Sequence, residues 1–207
     1  AEIRLSAVRK NLQKLKSIAA PARRLFVVKA NAYGPGAVEL TRLAEREKLA
    51  WGFGVSSVEE GLALRAGGIT SPVLVLGSLY PFESFVEAMN ADLMVTIASL
   101  DAARQAIEAA RKLGKKAVCH IKLETGMGRI GARKPSVLKI YHELSSSGSV
   151  AVAGLYTPLS SADTDQDYTG AQLSIFSETA GELEARGARG LLFHAANSAA
   201  TLNCPVS

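Results

Sequence analysis

Short apolar runs alternate with helical patterns along the chain, and this alternation constrains the fold more than any other feature. Seven runs are rich in Val, Ile and Leu and show little polar alternation, which is typical of strands buried on both faces of a parallel sheet. Strands that alternate with helices at this spacing predict an α/β fold, either a (β/α)8 TIM-type barrel or a doubly wound sheet. The runs are Leu25–Ala30, Trp51–Val55, Val73–Leu76, Leu93–Ile97, Val118–Leu123, Val150–Tyr156 and Leu191–His194.

Helical patterns fill the segments between these runs. One lies around Glu60–Arg65, an Ala-rich one spans Ala102–Leu113, and a third spans Gln172–Arg186. Glycines at positions 114 and 187 follow the last two patterns, as is common where a helix ends. No eighth apolar run follows, so we expect a barrel truncated before its eighth strand. We find no linker and expect residues 1–207 to form a single, incomplete barrel domain.

The charge of the chain narrows the classes of partner. The formal net charge is +5, yet the cations are dispersed. The densest basic groups are Arg23-Arg24, Arg111-Lys112 and Lys115-Lys116. A solvated helix face explains them better than a nucleic-acid surface does, and a basic pocket for a small phosphate ester fits the same sign of charge. We therefore expect a small-molecule substrate and no nucleic-acid partner.

Cysteine and histidine usage argues against disulfides and metals. Cys119 and Cys204 lie far apart, and Cys119 falls in an apolar run, where a cysteine usually behaves as a small hydrophobe. A reducing, cytoplasmic compartment is therefore expected. The histidines show no metal-ligand spacing with the cysteines, so we expect no metal site. No run has transmembrane length, and the charges at Glu2 and Arg4 argue against a signal peptide.

The sharpest motif is Val-Val-Lys-Ala-Asn-Ala-Tyr-Gly-Pro-Gly at positions 27–36. Its lysine, Lys29, ends an apolar run before a glycine-bearing turn, and in a barrel that end of the strand faces the active site. Apolar surroundings disfavour the ammonium form, and the neutral amine is the form that attacks an aldehyde to give a Schiff base. From position alone, a surface lysine with its head in water is the commoner case.

This segment closely resembles the pyridoxal-phosphate signature of alanine racemases. The resemblance implies that Lys29 carries the cofactor covalently and acts as a catalytic base, and that Tyr33 binds the cofactor phosphate. Where the family usually has Gly-His-Gly, this chain has Gly34-Pro35-Gly36. The support around the cofactor is therefore expected to be weaker at Pro35.

A second segment, Ile-Lys-Leu-Glu-Thr-Gly-Met-Gly-Arg-Ile-Gly at positions 121–131, resembles the family's Lys-x-Asp-Thr-Gly-Met-x-Arg-x-Gly. The resemblance makes Arg129 a catalytic and substrate-binding residue and adds Met127 as a substrate contact. A guanidinium fork fits a carboxylate in two parallel hydrogen bonds. Lys122 matches a lysine that can be carbamylated and then holds the arginine, while Glu124 stands where aspartate is usual. Without the resemblance, Arg129 would be a loop arginine in a surface ion pair.

Two further segments match the family near the end of the chain. Positions 154–163 resemble Gly-x-x-Thr-His-x-x-x-Ala-Asp, but Pro158 replaces the histidine that packs against the cofactor ring. Proline offers neither a ring nitrogen nor a backbone donor. Positions 193–200 resemble the family's His-x-Ala-Asn-Ser segment, which assigns Ser198 and the adjacent Asn197 to the cofactor phosphate. The same pair matches a helix N-cap, and a helix N-terminus is also a good phosphate site.

The resemblance covers essentially the whole chain and implies a function. It implies a pyridoxal-phosphate-dependent isomerase, a cytoplasmic homodimer that interconverts L-alanine and D-alanine for peptidoglycan synthesis. The family's eighth strand and β-rich C-terminal domain, which supplies the opposite-face tyrosine base, do not match anything in these 207 residues, so this chain alone is expected to be poorly active. Two alternatives are a non-catalytic pyridoxal-phosphate-binding barrel of vitamin B6 homeostasis and an inert remnant.

Overall fold

The computed structural model describes residues 2–203, which form seven strands in alternation with helices. The strands are β1 (Leu25–Val27), β2 (Gly52–Val55), β3 (Val73–Val75), β4 (Met94–Ile97), β5 (Ala117–Lys122), β6 (Val150–Tyr156) and β7 (Leu192–His194). The helices are α1 (Leu5–Ile18), α2 (Lys29–Tyr33), α3 (Ala37–Arg46), α4 (Val58–Ala66), α5 (Phe82–Asn90), α6 (Leu100–Leu113), α7 (Lys134–Ser146), α8 (Gln166–Ala185) and α9 (Ser198–Asn203). The predicted fold, α/β of the (β/α)8-barrel type with seven strands in the described residues, is confirmed.

Each of the seven predicted runs contains a strand, although several strands are shorter than the run that predicted them. The largest correction concerns β1, which ends at Val27 and not at Ala30. Val28 already leaves the extended region, with φ −121° and ψ 20°. Lys29 therefore does not end the strand, and it begins the turn that follows.

The predicted helices are present, and the largest corrected boundary is the start of α8. α6 ends at Leu113 as predicted, and Gly114 after it has a left-handed φ of 61°. α8 begins at Gln166, earlier than the predicted Gln172. The carboxylate of Asp165 accepts the backbone N–H of Tyr168 at 2.9 Å, which satisfies one free donor of the first turn and fixes the helix start there.

The chain divides into two compact units, one ending at Val95 and the other beginning at Thr96, so that the boundary falls within β4. In the first unit β2 pairs in parallel with β1 and with β3, and β3 pairs in parallel with β4. Phe53, Val73 and Phe85 are completely buried there. Burial of this kind stabilises the unit by roughly 1.5–3 kcal/mol for each large apolar side chain.

In the second unit β6 pairs in parallel with β5 and with β7. The register aligns Lys122 with Tyr156 and Tyr156 with His194, which are the last residues of the three strands. Helix α7 packs against β5, β6 and α6. The sheet therefore places three polar residues side by side at its carboxyl edge.

Two expectations from composition are confirmed. Cys119 is completely buried in β5, and burial raises the pKa of its thiol to about 12, so it packs as a small hydrophobe. Cys204 lies outside the described residues. The basic pairs at positions 111–112 and 115–116 are exposed around the end of α6.

None of the helices in residues 2–203 combines the length and the apolar character that a membrane crossing requires.

Candidate active site

The residues that the sequence selects follow the carboxyl ends of strands. In the first unit, Lys29 and Tyr33 follow β1. In the second unit, Lys122 ends β5, Arg129 lies in the loop after it, and Ser198 begins α9 after β7. Barrel enzymes keep their active sites at the carboxyl ends of their strands. Convergence of the two sets of residues on one site stays a prediction.

The backbone after Lys29 forms a left-handed turn. Residues 30–33 have φ between 50° and 59°, a conformation that costs an L-residue roughly 1–2 kcal/mol. The side-chain oxygen of Asn31 accepts the N–H of Ala37 at 2.8 Å and so ties the turn to α3. Strain of this kind concentrates at functional sites, so the turn marks this segment independently of its sequence motif.

Glu60, on α4, holds the start of this turn. Its Oε1 accepts the N–H of Ala30 at 2.7 Å, and its Oε2 accepts the N–H of Ser56 at 2.7 Å. Burial raises the pKa of the Glu60 carboxyl, but these hydrogen bonds outweigh it and bring the pKa below its ordinary value. The carboxylate therefore clamps the residue next to Lys29 to the loop after β2. Sequence reasoning placed Glu60 only in a helix and missed this role.

Lys29 and Tyr33 lie at the two ends of the turn. Lys29 is half-buried, and its Nζ lies 6.0 Å from the centroid of the Tyr33 ring. No carboxylate within residues 2–203 forms an ion pair with the Lys29 amine. Tyr33 is 66% exposed. The amine and the phenol hydroxyl are thus both open to a ligand.

Glu124 orders the loop that carries Met127 and Arg129. Burial raises the pKa of its carboxyl, but the backbone N–H groups of residues 126–129 donate to it and bring the pKa below its ordinary value. The Gly126 N–H donates to Oε1 at 2.6 Å. The departure from the usual aspartate therefore gives a longer side chain that collects the loop amides. Met127 is half-buried and Arg129 is exposed.

Lys122, Tyr156 and His194 form a row of polar side chains at the strand ends. The His194 ring stacks on the Tyr156 ring with 4.9 Å between centroids and 8° between planes. The Lys122 Nζ lies 5.5 Å from the Tyr156 centroid, and the Lys122 residue is only 4% exposed. Burial raises the pKa of Tyr156, while the hydroxyl of Thr96, 2.9 Å away, and the charge of Arg129 act in the opposite direction. The Lys122 amine therefore lies by the ring of Tyr156, and the charge of Arg129 acts on the hydroxyl of the same tyrosine.

A pair of histidines lies beside this row. The Nδ1 of His120 and the Nε2 of His194 are 2.9 Å apart. Burial lowers the pKa of His120 to about 4. Burial, with a smaller contribution from His120, lowers the pKa of His194 to about 3. Sequence reasoning assigned neither histidine a role, because 74 positions separate them.

We expect these two histidines to make the protein less stable in mild acid. Both folded-state pKa values lie below the ordinary value of 6.5, so the unfolded chain binds protons first as the pH falls. Their contribution to stability is complete above about pH 6.5 and is lost as the pH falls to about 4 for His120 and about 3 for His194. Between pH 7 and pH 5, the loss is roughly 2 kcal/mol for each histidine.

Urea unfolding at pH 7 and pH 5 measures this loss, because carboxyl groups contribute little in that interval. The variant His120→Asn should remove about half of the pH dependence. His142→Gln is the matched control, since His142 is exposed. Equal stability of the unsubstituted protein at the two pH values would contradict the assignment.

The loop after β6 contains Pro158, which stands in place of the family's histidine. The amide nitrogen of Gln172 donates to the Pro158 carbonyl at 3.3 Å and to the Thr125 hydroxyl at 3.0 Å. The Thr125 and Thr157 hydroxyls are 2.8 Å apart and buried. This loop is therefore ordered by a buried polar network that needs no side-chain donor at position 158.

Asn197 is the predicted N-cap of α9. Its Oδ1 accepts the N–H of Ala200 at 2.9 Å, and its Nδ2 donates to the Leu159 carbonyl at 3.1 Å. Ser198, the first residue of α9, is exposed. Its hydroxyl forms no hydrogen bond with the described part of the chain and so is available to a ligand.

The sequence is similar to alanine racemases over nearly its full length. The profile of the family described as the N-terminal domain of alanine racemase matches residues 3–207. The alanine racemase of Symbiobacterium thermophilum is 39% identical over 206 residues, which are 99% of this chain and 54% of that protein. The alanine racemase of Methanococcus maripaludis is 36% identical over 208 residues, 99% of this chain and 55% of that protein.

The fold is similar to solved structures of the same name. The alanine racemase of Clostridium difficile superposes with a TM-score of 0.92 at 34% identity, covering 98% of this chain and 53% of that one. The chain thus spans about half the length of the curated relatives it matches.

Proposed function

The chain belongs to the family of alanine racemase N-terminal domains, and from this membership we propose that it is the cofactor-binding part of a racemase that uses pyridoxal phosphate to interconvert L-alanine and D-alanine. The observation that carries the proposal is the left-handed turn after β1. It is held by the Glu60 carboxylate and presents a lysine amine that has no ion pair within residues 2–203. A strained segment that the surrounding structure supports in this way is typical of a functional site.

The side chains present fit pyridoxal phosphate. Its aldehyde needs a primary amine, which Lys29 offers without a competing carboxylate in the described residues. Its phosphate needs hydrogen-bond donors, and the hydroxyls of Tyr33 and Ser198 belong to exposed residues. Asn197 fixes the backbone beside Ser198, where helix amides favour an anion. The chemistry of this donor set supports the proposal.

When bound, pyridoxal phosphate supplies an electron sink for the charge left on the substrate Cα after its proton is removed. Lys29 would hold the cofactor before the substrate binds and, once its amine is released, would exchange that proton on one face of the substrate. Arg129 binds the substrate carboxylate through two parallel N–H donors, and Met127 packs against the substrate. The loop amides gathered by Glu124 keep Arg129 on an ordered segment.

Lys122 is the candidate for modification. Burial of an ammonium is costly, and this residue is only 4% exposed. Loss of the ammonium proton gives the neutral amine, whose reaction with carbon dioxide forms a carbamate and releases a second proton, so that a cation becomes an anion. The charge of Arg129 acts on Tyr156, and the Lys122 Nζ lies 5.5 Å from the ring of that tyrosine, so Arg129 is the candidate cation for the carbamate. We propose that this pair positions Arg129 for the substrate.

We take the compartment, the oligomeric state and the metabolic role of the parent enzyme from the family. The parent enzyme is a cytoplasmic homodimer, and its D-alanine enters peptidoglycan. Residues 1–207 are its barrel part, and the β-rich domain lies outside them. Pro158 leaves the cofactor ring without the family's histidine contact, so the cofactor is held less tightly than in the relatives.

The experiment that tests the cofactor assignment is reduction of the protein with borohydride in the presence of pyridoxal phosphate. We expect a stoichiometric mass increase, and peptide mapping should place it on Lys29. Lys29 is half-buried next to Tyr33, a proposed phosphate donor, and has no ion pair within residues 2–203, which favours this lysine over the others. An adduct spread over exposed lysines, with none on Lys29, would refute the assignment.

A further inference from the structure

The pairing of His120 with His194 spans three strands. His120 lies on β5 and His194 ends β7, with β6 between them. Their ring nitrogens are nevertheless 2.9 Å apart, and the rings meet edge to face with centroids 5.1 Å apart. The His120 ring therefore reaches across the middle strand to a residue at the carboxyl edge of the next one.

Gly154, on β6, makes this reach possible. A Cβ added at position 154 would lie 2.5 Å from the His120 Nδ1 and 2.6 Å from the Leu192 carbonyl oxygen. Both distances are shorter than nonbonded contacts allow, and one of the atoms belongs to the backbone. Only glycine leaves room at this position for the imidazole to cross. The crossing is thus built into the sheet and does not depend on a flexible side chain.

The burial of the His120 Nε2 determines which of the two rings donates the hydrogen bond between them. His120 is 1% exposed, and its Nε2 has no hydrogen-bond partner among the described residues. If Nε2 carried the hydrogen, a buried N–H would have no acceptor, which is the rarest kind of unsatisfied group in proteins. The lone pair therefore lies on Nε2 and the hydrogen on Nδ1, which makes His120 the donor to His194.

The state of His194 follows from the donor role of His120. A neutral imidazole carries one hydrogen, and the nitrogen that accepts a bond leaves it on the other nitrogen. Since Nε2 of His194 accepts, its hydrogen lies on Nδ1. That atom has no partner within residues 2–203, yet it is absent from the buried unpartnered atoms there, so it is open to solvent or a ligand.

We propose that His120 is a positioning residue, which donates its Nδ1–H to His194 and thereby holds His194 as a neutral Nδ1–H donor stacked on Tyr156. The strand ends then carry an uncharged N–H donor beside Lys122 and Tyr156. Burial, which lowers the pKa of both histidines, keeps the pair neutral near pH 7. The tautomer stands on the chain's own contacts, and only its use in binding or catalysis rests on the proposed function.

Nitrogen NMR of the imidazole rings in the full chain, without cofactor, tests the tautomer. The chain has three histidines, so His142→Gln leaves only the pair to assign. We expect His194 to show a protonated Nδ1 and an unprotonated Nε2, and His120 to show the same pattern. The opposite tautomers in both rings, or two protonated nitrogens in either ring at pH 7, would overturn the proposal.

Three substitutions separate a positioning role from a merely structural one. In His120→Asn the side-chain amide can replace the Nδ1–H donor, so His194 should keep a single tautomer. In His120→Leu and in Gly154→Ala the donor is lost or displaced, so His194 should become a mixture of tautomers. If Leu and Asn leave His194 in the same state, His120 does not position it. If His120→Leu does not fold, Gly154→Ala still tests the effect of losing the donor to His194.

The cofactor test is independent of this result. A single His194 tautomer with no borohydride adduct on Lys29 would leave the His120 proposal standing and remove the proposed function. An adduct on Lys29 together with the opposite tautomers would leave the proposed function standing and remove the His120 proposal.

Discussion

Lys29→Ala is expected to abolish the covalent adduct with pyridoxal phosphate completely. The adduct requires a primary amine at the position from which the cofactor aldehyde is reached, and alanine has none. The turn at residues 30–33 is tied through Glu60 and Asn31, which Lys29→Ala leaves intact, so the fold should survive. The expected result is therefore loss of the reduced adduct by mass spectrometry without loss of the folded protein.

Two variants make this result specific. Lys29→Arg keeps a positive charge, but its guanidinium does not form the adduct because it stays protonated, so it should behave like Lys29→Ala. Lys10→Ala removes an exposed lysine on α1 and should leave the adduct at full yield. An adduct that persists at full yield in both Lys29 variants would move the cofactor to another lysine.

The second large effect concerns the 207 residues by themselves. We expect them to racemise alanine slower than a complete relative by roughly 10² to 10⁴, the usual loss when one positioned acid–base group is missing. By resemblance, the base for the opposite face of the substrate is a tyrosine of the β-rich domain, to which nothing in this chain corresponds. Pro158 stands where the family has a histidine that packs against the cofactor ring, so we also expect the cofactor to be held less tightly.

The measurement is D-alanine formation beside a complete racemase, with deuterium incorporation at Cα followed by NMR. Lys29 can exchange the Cα proton on one face, so slow deuterium incorporation without matching D-alanine is the expected pattern. A rate equal to that of the complete enzyme would show that the opposite-face base is not needed. Adduct formation with no Cα exchange at all would favour the non-catalytic barrel of vitamin B6 homeostasis.

Much of the fold could be predicted from the sequence because the signals are local. A strand buried on both faces needs a continuous apolar run, and each of the seven runs located a strand, although β1 and β7 are only half-buried. Gly114 marked the end of α6 because a left-handed residue there favours glycine. The boundary errors have local causes as well, since the cap at Asp165 and the bend at Val28 involve only a few residues.

The residues of the candidate site were predictable only where they belong to a motif that is contiguous in the sequence. The segments around Lys29 and Arg129 are recognisable because their residues are neighbours in the sequence. The role of Glu60 was not predictable, since its partner Ala30 is 30 positions away and contributes only a backbone N–H that any residue would have. At Glu124 the difference from the family pattern is visible in the sequence, but its consequence for the loop is visible only in the structure.

The sequence by itself thus determined the strand–helix alternation and the choice of the lysine and arginine that we propose for the family's chemistry. Only the tertiary structure decided how His120, Gly154 and His194 meet. Their meeting depends on the parallel register of β5, β6 and β7, which aligns residues that no local pattern relates. A glycine at position 154 does not indicate in the sequence that the ring of His120 crosses that position. The three strands place Gly154 between the two imidazoles. Because Gly154 has no Cβ, the ring nitrogens of His120 and His194 can approach to 2.9 Å.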